Sequence, residues 1–239
     1  SGEEHGELKT KDLDPPISIP PGMSQQVSVF YSELPNCPDY FYHFDINVTS
    51  KQHASGSSLF AVVGGVRGFL PAIRLQTPPP VDPETILEFN PQIKTEAGPI
   101  DLYVYTVPFV LNLDTMKQSN DFTFPIFIFA ENKMEGTASI KEITLTSDSS
   151  FIKVTECGGK SVEWNNNRVT LPVNWKLEPL GSELSSNYIL CRGVIRDDPK
   201  YRDFRGTDVR LMSVSTVYEY TQTFNERIAG RNCVTPYEA

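Results

Sequence analysis

Tyr40 to Thr49 (YFYHFDINVT) alternates with a period of two. Tyr40, Tyr42, Phe44, Ile46 and Val48 fall on one side, and Phe41, His43, Asp45, Asn47 and Thr49 on the other. A helix, whose side chains repeat about every 3.6 residues, scatters such a pattern around its axis, whereas a half-buried strand separates it cleanly. The same period recurs along the chain. Gln26–Ser32, Leu59–Val63, Phe69–Leu75, Ile86–Phe89, Asp101–Leu113, Phe122–Phe129, Ile140–Thr146, Phe151–Thr155, Val162–Trp164, Val169–Trp175, Tyr188–Val194 and Asp208–Phe224 all read as strands. In the last of these, Val209, Leu211, Ser213, Ser215, Val217 and Glu219 share one side, and Met212, Val214, Thr216, Tyr218 and Tyr220 the other. No window carries a capped helical stripe longer than about ten residues.

Proline and glycine punctuate these runs. Pro15–Gly22 reads as a proline-bracketed edge segment, and Gln76–Pro83 (QTPPPVDP) as a stiff extended loop. Gly64-Gly65 marks a bend or bulge, and Pro108 and Pro125 place their segments at sheet edges or bulges. Many short strands separated by turn residues predict an all-β chain of antiparallel β-sandwich domains, either two sandwiches or one large jelly-roll-like domain. The expected division is a mobile arm over residues 1–14, a first sandwich over 15–131 and a second over 136–239, with the polar stretch ENKMEG (131–136) between them.

The cysteine pattern bears on compartment. Cys37, Cys157, Cys191 and Cys233 are widely spaced, which fits two disulfides with three possible connectivities. The favoured pairing joins Cys191 to Cys157 or Cys233, and a bridge from Cys37 would link the two halves. Asn47-Val48-Thr49 is an N-glycosylation acceptor on the outward side of its strand. Together these predict a secreted protein or the ectodomain of a membrane protein. The polar start Ser1-Gly2-Glu3-Glu4 is read as following processing, and the end at Tyr237-Glu238-Ala239 as preceding a stalk or anchor.

Charge excludes further classes. The net charge of −9 argues against sequence-independent nucleic-acid binding and against docking on an anionic membrane by charge alone. No apolar run reaches the about 18 residues of a membrane-spanning helix.

No reaction centre is legible. The histidines, His5, His43 and His53, and the four cysteines do not fall at zinc-site spacing. No nucleophile elbow, phosphate-binding glycine loop or metalloprotease motif is present, and the expectation is no enzyme, no cofactor and no metal. Asp45, Glu88 and Asp101 are candidates for the acid and base of a glycosidase, but the sequence shows no convergence among them. Asp197, Asp198, Asp203 and Asp208 could line a calcium loop, but Arg196, Lys200, Arg202, Arg205 and Arg210 are interleaved with them, and internal ion pairing is the simpler account.

The aromatic residues remain. Phe41, His43, Tyr103 and Tyr105 are the candidate binding residues, since aromatic side chains on an outward sheet face suit a sugar or a protein partner. Phe41, with Leu102 or Val104, is the expected outward set. The predicted role is recognition of an extracellular protein or glycan through loops or an exposed sheet face. The alternatives are a pathogen surface protein that sequesters basic host ligands such as chemokines, and a secreted glycan hydrolase.

Ile17-Ser18-Ile19-Pro20-Pro21-Gly22, a strand ending in Phe30-Tyr31, Asn36-Cys37 and the strand closing in Asp45-Ile46-Asn47-Val48 together resemble the opening of nematode CUB-like domains. Tyr105–Leu111 followed by Phe122–Phe127 is similar to their closing strands. The resemblance spans residues 15–130. It departs after Cys37, where the family's tryptophan and glycine-tyrosine pair are missing, and Asp101 lacks a partner cysteine. It implies a secreted β-sandwich module linked to extracellular binding or defence, and not an enzyme.

Overall fold

The computed structural model describes residues 41–65, 94–95 and 98–229, with side chains for 47–65, 95 and 98–225. The arm at 1–14, the strands expected at 15–22, 26–32, 69–75 and 86–89, the loop at 76–83, Cys37 and Cys233 lie outside the described residues.

The described chain is all-β, with two short helices. Its strands are β1 (Phe41–Gly64), β2 (Lys94–Thr95), β3 (Ile100–Thr106), β4 (Val110–Asn112), β5 (Thr123–Asn132), β6 (Thr137–Ser147), β7 (Ile152–Cys157), β8 (Lys160–Ser161), β9 (Arg168–Leu177), β10 (Ser186–Ile195) and β11 (Gly206–Ala229). The helices are α1 (Leu113–Ser119), which the sequence reading missed, and α2 (Pro199–Arg202). Helix α1 is nucleated by Asn112, whose side chain accepts from the backbone N–H groups of Asp114 and Thr115.

Two sheets form. One has the order β2-β1-β11-β6-β9, with β4 pairing β1 in parallel, and the other the order β3-β5-β10-β7-β8. Val48–Gln222 make one compact unit. Within it the inward residues of both sheets share one core: Ile140, Leu145, Leu171, Met212 and Val214 from one, and Leu102, Val104, Ile126, Ile128 and Val154 from the other. That is a sandwich, and period-two burial runs along its strands: in β5, Phe124, Ile126, Ile128, Ala130 and Asn132 are buried while the residues between them are not.

Three expectations are corrected. The boundary at 131–136 is the β5–β6 turn, and strands from either side of it share both sheets, so it does not separate two sandwiches. Long-range pairing accounts for this: β5 pairs β10 from Thr123↔Val194 to Glu131↔Ser186. Next, the strands expected at 40–49 and 59–63 are one strand, β1. It runs through Gly56, where a Cβ would overlap the Leu102 carbonyl, so the glycine permits close approach of β1 to β3 rather than marking a loop. Finally, Pro125 lies in β5, an interior strand. It tolerates that place because Val107 N–H donates to its carbonyl (3.1 Å) just where β3 stops, at Thr106, and the bond it cannot return is the one that would have continued β3. The run 101–113 is therefore split: β3 belongs to one sheet and β4 to the other.

Candidate functional site

The outward face of the β3-β5-β10-β7-β8 sheet is aromatic. Register aligns Tyr103 with Phe129 and Phe129 with Tyr188, and in the next row Tyr105 with Phe127 and Phe127 with Leu190. A third row, Asp101, Glu131 and Ser186, is polar. The inward neighbours Leu102 and Val104 are fully buried. The expected outward set is therefore reversed on β3: the tyrosines face out, because the aliphatic row completes the core.

These rings pack on one another. Tyr105 and Phe127 stack with centroids 5.4 Å apart and planes 14° apart, Tyr103 tilts against Phe129 at 5.8 Å, and Phe109 adjoins Tyr105 at 6.2 Å. Cross-strand aromatic pairs of this kind contribute roughly 0.2–1 kcal/mol each to the sheet. They leave Tyr103, Tyr105, Phe127 and Phe129 half-buried. Tyr188 and Leu190 differ: they are 66% and 47% exposed, although β10 is an interior strand.

Polar groups frame the face. The Tyr103 hydroxyl donates to Asp101 (2.9 Å), and burial, with that carboxylate, pushes the Tyr103 phenol pKa upward. Lys133 bonds Glu131 (2.6 Å), which raises the pKa of the lysine. Arg192 faces Glu156 at 3.8 Å. Beside Tyr188 and Leu190 lies an open groove of about 740 Å3, walled by Pro125, Glu156, Asn187 and Arg192 and ending at the Gly158-Gly159 turn between β7 and β8. Both glycines have positive φ.

Cys157 and Cys191 lie opposite each other on β7 and β10 and form a disulfide, one of the two partners the sequence favoured for Cys191. Phe41 and His43 fall in β1, and their side chains are outside the described residues. Asn47 is exposed, and its Oδ1 accepts from the Thr223 hydroxyl (2.6 Å). Of the three candidate carboxylates, Asp101 meets Glu131 across β3 and β5, but each of these two is already engaged, by Tyr103 and Lys133. Glu88 and the Asp45 side chain are outside the described residues. The loop around 197–208 carries the expected ion pairs: Arg202–Asp197 (3.1 Å), Lys200–Asp198 (3.7 Å) and Arg210–Asp208 (2.8 Å). Among the described residues no group of three or more His, Cys, Asp or Glu could hold a metal, and no helix is long and apolar enough to cross a membrane.

Sequence reasoning reached Tyr103 and Tyr105 but missed Phe127, Phe129, Tyr188, Leu190, Glu156 and Arg192. The alternation in FTFPIFIF already separated Phe127 and Phe129 from Ile126 and Ile128, and that was the available signal. No family model, curated protein or solved structure matches the chain.

Proposed function

We propose that this protein is a non-enzymatic extracellular binding protein, secreted or displayed as an ectodomain, and that it recognises its partner with the outward face of the β3-β5-β10-β7-β8 sheet. One observation carries the reading: two adjacent rows of aromatic and apolar side chains lie on the outer side of a sheet whose inner side already fills the core. Exposed apolar surface of this kind is costly in water unless it serves an interaction. The Cys157–Cys191 disulfide supports an oxidising compartment, and exposed Asn47 supports glycosylation of its sequon. The resemblance to CUB-like modules implies the same class.

The test is a screen of the full chain against printed glycans and a panel of secreted proteins. The comparison is a Tyr105→Ser/Leu190→Glu double variant with an unchanged circular-dichroism spectrum. Ligands should be retained by the native chain and lost by the variant. Equal binding by both would place recognition elsewhere, in the loops, and overturn the reading.

Capture of a basic ligand such as a chemokine is a second reading, favoured by the net charge of −9. It requires affinity to fall steeply with added salt, because charge complementarity is screened within about 8–10 Å at physiological ionic strength.

A further inference from the structure

The groove beside Tyr188 has a composition distinct from the rest of the aromatic face. Tyr103, Tyr105, Phe127 and Phe129 are engaged with other rings, whereas among the described residues Tyr188 packs against no ring. It stands 66% exposed at the end of its row, with Leu190 and then Arg192 following on the same side of β10 and Glu156 across from Arg192 on β7. We propose that this groove is a saccharide subsite, in which one unit of a neutral oligosaccharide lies on the Tyr188 ring and a unit further along the groove hydrogen-bonds Glu156 and Arg192. This rests on the binding-face reading above and names its ligand class.

The chemistry follows from what a pyranose is. One face of the ring is a patch of C–H groups, and its rim is hydroxyls that both donate and accept. The open tyrosine ring matches the first. The charged side chains further along the groove match the second: Glu156 accepts and Arg192 donates through a fixed fork.

Two other ligand classes fit less well. β10 is hydrogen-bonded to β5 on one side and β7 on the other, so the floor offers no backbone ladder to an extended peptide. Glu156 and Arg192 oppose each other with one charge of each sign, so neither a sulfated nor a strongly basic ligand meets a uniform field. The volume of about 740 Å3 is in the range of ligand sites, and the groove is low at Gly158-Gly159, where a methyl group on Gly159 would touch nothing, so a longer chain can run past that end.

The experiment uses the full chain and calorimetric titration with neutral trisaccharides of glucose, N-acetylglucosamine, mannose and galactose. At least one should bind. Tyr188→Ala and Glu156→Ala should each weaken it at least about tenfold, Tyr188→Phe should retain it, and raising salt from about 50 to 500 mM should leave it within about twofold, since no net charge is neutralised. Absence of binding by every neutral sugar, or equal binding by Tyr188→Ala, overturns the subsite. If a protein from the panel still binds and is lost in Tyr105→Ser/Leu190→Glu, the face remains the binding surface and only the saccharide assignment fails. If neither sugars nor proteins bind in a manner that depends on these residues, both fail.

Discussion

Gly193 on β10 lies directly opposite Phe124 on β5, and a Cβ placed on it would overlap the Phe124 ring. The strand that displays Tyr188 and Leu190 outward is seated by an inward position where only hydrogen fits. Gly193→Ala should therefore destabilise the protein by about 1–3 kcal/mol, as overpacking does. Adding Phe124→Leu should recover part of the loss. Urea denaturation measures both, and an unaltered midpoint for Gly193→Ala would contradict the packing described.

The Cys157–Cys191 bridge closes a loop with a sequence separation of 34. In the chain-entropy model a loop of that length contributes about 3–4 kcal/mol by restricting the unfolded chain. Replacing both cysteines by alanine should lower stability by up to that amount while sparing the β-sheet spectrum. It should also loosen β7 against β10, which carry Glu156 and Arg192, so hydrogen exchange along these strands should accelerate more than in β6 or β9.

Asn132 is completely buried at the end of β5. Its Nδ2 donates to the carbonyls of Gly136 (2.6 Å) and Glu178 (2.9 Å), and its Oδ1 accepts from the Met134 N–H (3.0 Å). Leucine at this position would leave three backbone groups without partners, at about 1–3 kcal/mol for each group that water cannot reach. Asn132→Leu should be among the most damaging single changes, read as a fall of several degrees in melting temperature. Asp should not rescue it, because a carboxylate would face two carbonyl oxygens.

Tyr218 is buried, its hydroxyl donates to Gln52 Oε1 (3.0 Å), and burial pushes its phenol up to about 12 from the usual 10.0. The fold thus favours the protonated phenol. That contribution is whole below pH 10, where the unfolded chain also keeps its proton, and it is lost as pH rises from 10 through 12. Stability should fall steeply over that window, and Tyr218→Phe should flatten the fall while costing about 1 kcal/mol near pH 7 through the lost hydrogen bond. Parallel pH profiles for the two proteins would show that another group governs the alkaline limb.

Period-two alternation, a local property, determined that the chain is all-β and, strand by strand, which side chains travel together. Tyr103 with Tyr105, Phe127 with Phe129, and Met212 with Val214 and Tyr218 are each legible on one face. Alternation says nothing about which of two apolar faces meets the core. On β3 both rows are apolar or aromatic, and the choice fell to Leu102 and Val104 because they fill the space between the sheets, while the flatter tyrosines pack on Phe127 and Phe129 outside it. Nor does it give partners. That β5 pairs β10, across a turn that reads like a domain boundary, is a matter of contacts far apart in sequence; this pairing sets Phe129 beside Tyr188, and the pairing of β10 with β7 brings Glu156 opposite Arg192. The binding face is thus a product of register between distant strands, which only burial of the shared core decides.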